Sequence, residues 1–319
     1  MPPDPHSNYL KNIMLIQWYP GHMHKASKEI KHILPQVDLI IEILDARIPF
    51  SSENPMLKTL RGDKPCIKVL SKSDLADPDM TQHWQTYLEQ EKGVKTLALT
   101  IEQPEKMRQI ADLCHKMLPG KESSGRLIQA LIVGIPNVGK STLINILAGR
   151  IIAKTGNEPA ITKTQQRINI GNGIVLWDTP GVLWPNVENR NSGYRLATTG
   201  AIKDTAINHE HIAFFAADYL LRHYPDLLKA RFQIEQLPDS EQELMETIGR
   251  NRGCLRSGGR VDMDKVSKLL LSELRAGTIG RISLETPAMM EQELAELAVI
   301  REQKAAKKLS RMQKWKDSK

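Results

Sequence analysis

The chain has 319 residues, of which 40% are hydrophobic and 25% charged, and its formal net charge is +7. This composition is ordinary for a soluble globular protein, and the length allows two domains. No apolar run reaches the roughly 18 residues of a membrane span, and the first residues show neither a signal peptide nor a transit peptide, so we expect a cytoplasmic protein without membrane contact. Its three cysteines are far apart in the sequence and predict neither disulfides nor a zinc site.

The first part of the chain alternates apolar strands with helices. Residues 37–44 and 64–70 are nearly continuous apolar runs, which is typical of strands buried on both faces of a sheet. Residues 79–91 have helical spacing, 94–99 form a short strand, and 105–118 form a second helix. This alternation predicts a doubly wound α/β sheet with a site at the carboxyl ends of its strands.

The second strand ends at Ser71-Lys72-Ser73-Asp74, which resembles the guanine-reading motif N-K-x-D of GTPases. A carboxylate at Asp74 can accept hydrogen bonds from the ring N–H and from the exocyclic amine of guanine. Adenine has neither donor at those positions, so the motif predicts GTP rather than ATP. Ser71 stands where GTPases usually have the asparagine that ties this loop to the phosphate-binding loop. Thr100, at the end of the next strand, is predicted to lie beside the guanine.

A strand over 130–133 leads into Gly134-Ile-Pro-Asn-Val-Gly-Lys-Ser-Thr142, and a helix over 143–147 follows. This run, the phosphate loop, matches G-x-x-x-x-G-K-[ST], whose backbone N–H groups surround a β-phosphate at the positive end of a helix dipole. Lys140 brings a positive charge to the β- and γ-phosphates, which makes it a predicted catalytic residue, and Ser141 can ligate Mg²⁺. The predicted nucleotide contacts of the loop are Asn137, Val138, Gly139, Lys140, Ser141 and Thr142.

Strands over 167–170 and 174–177 flank the turn Gly171-Asn-Gly173 and predict a hairpin. The second strand ends at Asp178-Thr-Pro-Gly181, a D-x-x-G sequence. Asp178 can hold Mg²⁺ through water, and the Gly181 N–H can bind the γ-phosphate. Thr162, in the loop 159–163 between the two motifs, is predicted to supply a second hydroxyl to Mg²⁺.

These motifs stand in the reverse of the conventional order, in which the phosphate loop precedes the base motif. The same sheet can be built with the old termini joined and new ones opened, so we predict a circularly permuted P-loop GTPase sheet. The loop after Asp178 then runs directly into the following region. We hypothesise that this connection converts the nucleotide state into movement of that region.

The strand pattern stops near Asn186, and the rest of the chain predicts only helices. The predicted helices cover 194–204, 210–223, 225–231, 240–249, 264–276 and 291–316. We therefore expect an N-terminal extension (1–20), a GTPase domain (21–185), an all-helical RNA- or ribosome-binding domain (186–287) and a charged helical tail (288–319).

Two stretches of the helical part are strongly basic. One surrounds a Gly-rich turn, and its predicted RNA-binding residues are Arg250, Arg252, Arg256, Arg260, Lys265 and Lys268. The other is the tail, where residues 301–319 contain eight Lys or Arg against two acidic residues. Because aromatic residues make up only 5% of the chain, we expect recognition of RNA phosphates and shape rather than base stacking. A merely solvated surface is the alternative for both stretches.

Five further sequence motifs lie outside the nucleotide motifs. They are Gln17-Trp-Tyr-Pro-Gly-His-Met23, Asp45-Ala-Arg-Ile-Pro49, Ser51-Ser-Glu-Asn-Pro55, Gly200-Ala-Ile-Lys-Asp204 and Arg252-Gly-Cys-Leu-Arg-Ser-Gly-Gly259. Together with the nucleotide motifs, they make residues 16–287 resemble the ribosome biogenesis GTPase A family of circularly permuted bacterial GTPases. The resemblance implies assembly of the large ribosomal subunit, with GTP hydrolysis stimulated on the ribosomal particle. The chain departs from the family pattern at Ser71, at Ala160 and in its basic tail.

Many GTPases orient the attacking water with a glutamine directly after D-x-x-G. Here that residue is Val182, whose side chain cannot hydrogen-bond. The resemblance implies that His22 supplies the polar help, so His22 is a predicted catalytic residue. It also implies that Asn137 ligates K⁺, which would act as an arginine finger does.

We predict a GTPase that binds the precursor of the large ribosomal subunit and promotes a late step of its maturation. Its predicted cofactors are Mg²⁺ and, through Asn137, K⁺, and we expect a monomer away from the ribosome. Two alternatives stay open. One is a GTP-dependent protein scaffold or switch whose hydrolysis is incidental, and the other is a P-loop enzyme that uses ATP.

Overall fold

The structure is a computed structural model that describes residues 16–152 and 166–317. The strands in these residues are β1 (Leu39–Asp45), β2 (Cys66–Ser71), β3 (Val94–Ala98), β4 (Ile128–Gly134), β5 (Gln166–Gly171) and β6 (Ile174–Asp178). They form one six-stranded sheet in the order β3-β2-β1-β4-β6-β5. Neighbouring strands are parallel, except that β5 and β6 form the predicted antiparallel hairpin. The predicted α/β class and the circularly permuted strand order are therefore confirmed.

The central strand β1 explains why the predicted strands are apolar throughout. All seven of its residues are buried, as expected for a parallel strand with helices on both faces of its sheet. The helices of this part are α1 (Gly21–Ile33), α2 (Pro49–Ser52), α3 (Pro55–Arg61), α4 (Pro78–Leu88), α5 (Pro104–Met117), α6 (Pro119–Ser123) and α7 (Lys140–Ala148).

The first three of these helices lie outside the predicted elements. α1 buries Met23, Ala26 and Ile30, but the lysines and histidines between them weaken the apolar pattern in the sequence. α2 has four residues, too few to show a period. α3 begins after Asn54, whose side chain accepts a hydrogen bond from the Met56 backbone N–H at 3.0 Å and so caps the helix.

The second part of the chain is helical, as predicted. Its helices are α8 (Arg190–Thr198), α9 (His209–His223), α10 (Pro225–Phe232), α11 (Glu241–Asn251) and α12 (Met263–Arg275), and α9 packs against the other four. The prediction of one helix over 194–204 is wrong in its second half. α8 ends at Thr198 because Gly200 adopts a left-handed φ of 82°, and a separate 3₁₀ turn covers Asp204–Ala206.

A long helix, α13 (Pro287–Asp317), ends the described chain. Its start is fixed to the body, since Met290 is buried and the Glu293 carboxylate accepts hydrogen bonds from Arg195 and Asn189. From Arg301 onward every described side chain is exposed. Nowhere in the described ranges is a helix both long and apolar enough to cross a membrane.

Candidate active site

The phosphate loop connects β4 to α7 and takes a conformation that glycine makes possible. Gly139 has a left-handed φ of 94° directly before α7. A Cβ at Gly134 would lie 2.9 Å from the Ile43 carbonyl oxygen and 2.8 Å from Val138 Cγ1, so only glycine fits there. The loop therefore wraps closely over the end of β4, and the residues after it begin a helix whose N-terminus is the predicted place for phosphate.

Lys140 and Asp178 form a buried ion pair at the centre of the site. The Lys140 ammonium contacts Asp178 Oδ1, and both side chains are buried. Burial raises the pKa of the Asp178 carboxyl and lowers the pKa of the Lys140 ammonium, because each charge has lost its hydration. The other oxygen of the carboxylate, Oδ2, is buried without a hydrogen-bond partner among the described residues. A buried carboxylate oxygen in that state is chemically suited to a cation or to a water that ligates one.

The D-x-x-G turn lies directly against the phosphate loop. A Cβ at Gly181 would stand 3.0 Å from Pro136 Cα and 3.1 Å from Pro136 N, so the close approach requires glycine. The Val182 N–H donates to the Gly134 carbonyl oxygen at 3.1 Å. The structure thus brings the two predicted phosphate-binding motifs into contact.

The base loop (residues 71–76) follows β2 and is tied to the phosphate loop by Ser71. The Ser71 hydroxyl donates to the Val138 carbonyl oxygen at 2.6 Å and lies 2.9 Å from the Leu44 carbonyl oxygen. Ser71 therefore connects the base loop to the phosphate loop, as the asparagine of N-K-x-D usually does. The Ser73 N–H donates to the Leu99 carbonyl oxygen at 3.2 Å, which places Thr100, a buried residue, next to the base loop.

Two charged residues that the site prediction did not include, Asp45 and Arg47, lie beside the base loop. Asp45, at the end of β1, accepts two hydrogen bonds from the Arg47 guanidinium at 2.9 and 2.7 Å and one from the Lys72 ammonium at 3.1 Å. Although burial alone would raise it, these two cations hold the pKa of the Asp45 carboxyl well below its usual range. Asp74 lies close enough to Arg47 and Lys72 to interact with both charges. β1 lies between β2 and β4, the two strands that lead into the predicted motifs. The polar residue Asp45 at the end of β1 was therefore the sequence feature that could have predicted a place in the site.

A cavity of about 550 Å³ opens where the base loop, the phosphate loop and the segment after α8 meet. Lys72, Asn137 and Gly200 line it, together with Lys203 and Arg275. The Asn137 side-chain amide donates to the Gly200 carbonyl oxygen at 2.9 Å. The phosphate loop is therefore in direct contact with the helical part of the protein.

The remaining predicted residues of the site are Ser141, Thr142, His22 and Thr162. Ser141 and Thr142 are half-buried in the first turn of α7, and His22 is exposed in the first turn of α1. The Gln17 side chain just before α1 donates to Asn186 Oδ1 at 3.1 Å, so this segment lies beside the chain that follows D-x-x-G. Thr162 falls outside the described residues.

The predicted RNA-binding residues are exposed, and most of them are in ion pairs. Arg256 contacts Asp262 at 3.1 Å, Lys268 contacts Asp264 at 2.7 Å, and Arg250 contacts Glu246 at 2.8 Å. Lys265 lies 4.0 Å from Asp262, and Arg252 shares Glu273 with Arg231. Arg260 makes no ion pair with any residue that the structure describes. The exposed pairs of Arg250 and Lys268 contribute only about 0–1 kcal/mol each, so these two cations can exchange a carboxylate for a phosphate at little cost.

The chain is similar to known proteins in both sequence and fold. The profile of the family described as 50S ribosome-binding GTPase matches residues 129–249. Ribosome biogenesis GTPase A of Bacillus cereus is 44% identical over 296 residues, which cover 91% of this chain and 100% of that protein. The corresponding protein of Priestia megaterium is 46% identical over 289 residues, covering 88% and 100%. The solved structure of GNP-bound YlqF from T. maritima is 30% identical, with a TM-score of 0.58 over 82% of this chain and 98% of that one.

Proposed function

This chain belongs to the ribosome biogenesis GTPase A family, and we propose that it binds the precursor of the large ribosomal subunit and promotes a late step of its maturation. Membership of the family makes it a GTPase of ribosome biogenesis, whereas the particle and the step are the proposal. The observation that carries the GTPase chemistry is the 2.6 Å hydrogen bond from Ser71 to Val138, because it joins the base loop to the phosphate loop. The 50S particle in the name of the matching family supports the partner.

In this proposal, the nucleotide lies across the carboxyl ends of β2, β1 and β4. Asp74 accepts hydrogen bonds from the guanine ring N–H and amine, with Lys72 and Thr100 beside the base. The backbone N–H groups from Val138 to Thr142 surround the β-phosphate, and Lys140 moves from Asp178 to the β- and γ-phosphates. Gly181, in contact with Pro136, presents its N–H to the γ-phosphate.

The donor set fits a magnesium ion. Hydroxyl and carboxylate oxygens are the ligands that Mg²⁺ prefers, and Asp178 Oδ2 is buried without a hydrogen-bond partner among the described residues. We assign Mg²⁺ to Ser141 and Asp178, with Thr162 as a further ligand. When bound, the ion supplies charge neutralisation between the β- and γ-phosphates. For K⁺, which the sequence resemblance implies, the ligand is the side-chain oxygen of Asn137.

His22 is the residue to which we assign the positioning of the attacking water, since Val182 has no polar side chain. We expect His22→Ala to slow single-turnover GTP hydrolysis on large ribosomal particles by about 100-fold while leaving GTP affinity unchanged. His32→Ala is the matched control, because His32 is exposed on the same helix, α1. An unchanged hydrolysis rate in the His22→Ala protein would show that His22 has no catalytic role.

Two basic surfaces support contact with ribosomal RNA. One is the turn between α11 and α12, which carries Arg252, Arg256 and Arg260. The other is the part of α13 beyond Arg301, whose exposed residues include Lys304, Lys307, Lys308 and Arg311. Phosphates are the natural partners of both surfaces.

Sucrose-gradient sedimentation tests the proposed function. We expect the protein loaded with a non-hydrolysable GTP analogue to sediment with large-subunit particles and the GDP-loaded protein to remain at the top. Depletion of the protein from cells should cause immature large subunits to accumulate. A normal ribosome profile after depletion would instead favour the scaffold alternative, in which hydrolysis is incidental.

The ionic strength of the same gradient separates RNA contact from protein contact. Binding through RNA phosphates should weaken on the order of 100-fold between about 50 and 200 mM salt, because each contact releases counterions. Arg260→Gln should lower the slope of log affinity against log salt by about 0.7–0.9, whereas Arg108→Gln on α5 should not. A flat salt dependence would contradict RNA contact by these surfaces.

A further inference from the structure

The chain returns from the helical part to the base loop after α12. This return segment (residues 277–285) forms two backbone hydrogen bonds with the GTPase part: Ile282 N–H donates to the Leu75 carbonyl oxygen at 2.9 Å, and Leu284 N–H donates to the Arg47 carbonyl oxygen at 2.8 Å. A Cβ at Gly277 would lie 2.7 Å from Leu75 Cδ2, so the start of the return segment also packs closely against the base loop. The return segment is thus a second wall of the base loop, encoded about 200 residues after it.

Arg281 in this segment holds the two ends of the turn that carries Asp74. Its Nε donates to the Ala76 carbonyl oxygen at 3.1 Å, and its Nη2 donates to the Ser73 carbonyl oxygen at 3.1 Å. Asp74 and Leu75 lie between those two carbonyls in the sequence. Because the guanidinium is a rigid planar fork, it fixes the distance between the two carbonyls as well as their positions.

The base loop needs such support. Lys72 has a φ of 55°, a left-handed conformation that a lysine adopts only at a cost in free energy. The hydroxyl of Ser71 restrains the base loop on the side of the phosphate loop, and the Ser73 N–H, bonded to the Leu99 carbonyl oxygen, restrains it on the side of β3. The turn that carries Asp74 is closed by the Leu75 N–H, which donates to the Lys72 carbonyl oxygen at 2.9 Å, and the return segment restrains it from outside.

We propose that Arg281 is a positioning residue for guanine recognition, which holds the Asp74 carboxylate where it meets the ring N–H and the exocyclic amine together. This inference rests on the proposed nucleotide site, in which Asp74 reads the base. The hydrogen bonds of Arg281 are to backbone carbonyls of the base loop. Its effect is therefore on the direction of the Asp74 side chain and, through it, on the choice of base.

The same contacts couple the base to the helical part. The Tyr224 hydroxyl, between α9 and α10, accepts a hydrogen bond from Ser283 N–H at 3.0 Å and donates to the Ser283 carbonyl oxygen at 3.1 Å. A shift of these helices against the sheet would pull the return segment and Arg281 with it. Docking of the helices on a partner would then change the affinity for the nucleotide, and nucleotide binding would change the affinity for that partner by the same factor.

Affinities of Arg281→Ala for GDP and IDP test the proposal. IDP carries the ring N–H but lacks the exocyclic amine, so it makes only one of the two hydrogen bonds to Asp74. We expect Arg281→Ala to weaken GDP binding about five- to tenfold and IDP binding about twofold or less, because only GDP needs both bonds aligned. Arg281→Lys should fall between the variant and the wild type, since an ammonium can reach one carbonyl but cannot span both.

Two controls keep the result specific. Arg222→Ala removes an exposed arginine of α9 that pairs with Asp218, and it should leave both affinities unchanged. The melting temperature of nucleotide-free Arg281→Ala should fall by only a few degrees, since two partly exposed hydrogen bonds are lost, and this separates positioning from a loss of folding. Unchanged affinities for GDP and IDP, or equal losses for both, would overturn the proposed role of Arg281.

Asp74→Asn distinguishes that failure from failure of the proposed site. If Asp74→Asn exchanges the preference for GDP for one for XDP while Arg281→Ala behaves as the wild type, the nucleotide site stands and only the role of Arg281 is wrong. If Asp74→Asn leaves the preference for GDP intact, Asp74 does not read the base, and both inferences are wrong.

Discussion

Asp74→Asn is expected to weaken GTP binding by about 100- to 1,000-fold and to create affinity for XTP. The asparagine oxygen can still accept from the ring N–H, but its amide now faces the exocyclic amine of guanine, so two donors meet without an acceptor. Xanthine has a carbonyl in that place and restores the pairing. Fluorescence titration with labelled GTP, XTP and ATP measures the exchange of preference.

The control for this variant is Asp79→Asn, which removes an exposed carboxylate from the first turn of α4, close to the base loop in sequence. It should bind GTP as the wild type does. The wild-type protein also decides the ATP alternative in the same titration, because equal binding of ATP and GTP would contradict base reading by Asp74.

Lys140→Ala should abolish measurable GTP hydrolysis and weaken nucleotide binding by at least about 100-fold, since it removes the positive charge assigned to the β- and γ-phosphates. It also leaves the Asp178 carboxylate buried without its partner, which costs about 3–5 kcal/mol of stability when the carboxylate is charged. Loss of binding and loss of stability therefore need to be measured separately.

The stability part of this prediction depends on pH. Burial already raises the pKa of Asp178, and removal of Lys140 raises it further. A carboxyl whose pKa is higher in the folded than in the unfolded protein contributes stability at low pH and loses it as the pH rises through the folded pKa. Urea unfolding should therefore show Lys140→Ala to be much less stable than the wild type at pH 8 and closer to it at pH 5.

The double variant Lys140→Met/Asp178→Asn separates the two effects. It replaces both charges with neutral groups of similar size, so unfolding should return towards the wild-type stability while nucleotide binding stays lost. Recovery of GTP binding in the double variant would contradict the assignment of Lys140 to the phosphates.

Much of the fold was predictable because its signals are local. Strands β1, β2, β4 and β6 are short, largely apolar runs that lead into polar motifs, and glycine-containing turns mark the phosphate loop and the β5–β6 hairpin. The order of the motifs predicted the permutation, and the sheet agrees with it. The base loop follows β2 and the phosphate loop follows β4, and these two strands lie on either side of β1. Helices α2 and α3 were missed because pieces of four and seven residues carry too little periodicity.

What the sequence did not predict depends on contacts between distant residues. The motif placed Ser71 where an asparagine usually ties the two loops together, but it did not indicate that a serine hydroxyl would make this connection by reaching Val138, 67 residues away. The contacts of Arg281 with the base loop span more than 200 residues and appear in no local pattern. Asp45 and Arg47 stood in a recognised motif, but their burial as a pair beside Lys72 follows only from the pairing of β1 with β2.

The helical part of the chain lies against the two loops of the proposed nucleotide site. Gly200, directly after α8, accepts a hydrogen bond from Asn137 of the phosphate loop, and the return segment after α12 supports the base loop. The helical part therefore contacts both the phosphate loop and the base loop. A change at either loop can be transmitted to the helical part without any intervening domain.

The most direct test is a crystal structure of the protein with a non-hydrolysable GTP analogue and Mg²⁺. We expect the Asp74 carboxylate within hydrogen-bond distance of the guanine ring N–H and amine, and the Lys140 ammonium on the β- and γ-phosphates of the same molecule. The ion should lie near Ser141 and Asp178. A nucleotide bound elsewhere, or one whose base lies beyond reach of Asp74 while its phosphates contact Lys140, would contradict the single cleft on which the function depends.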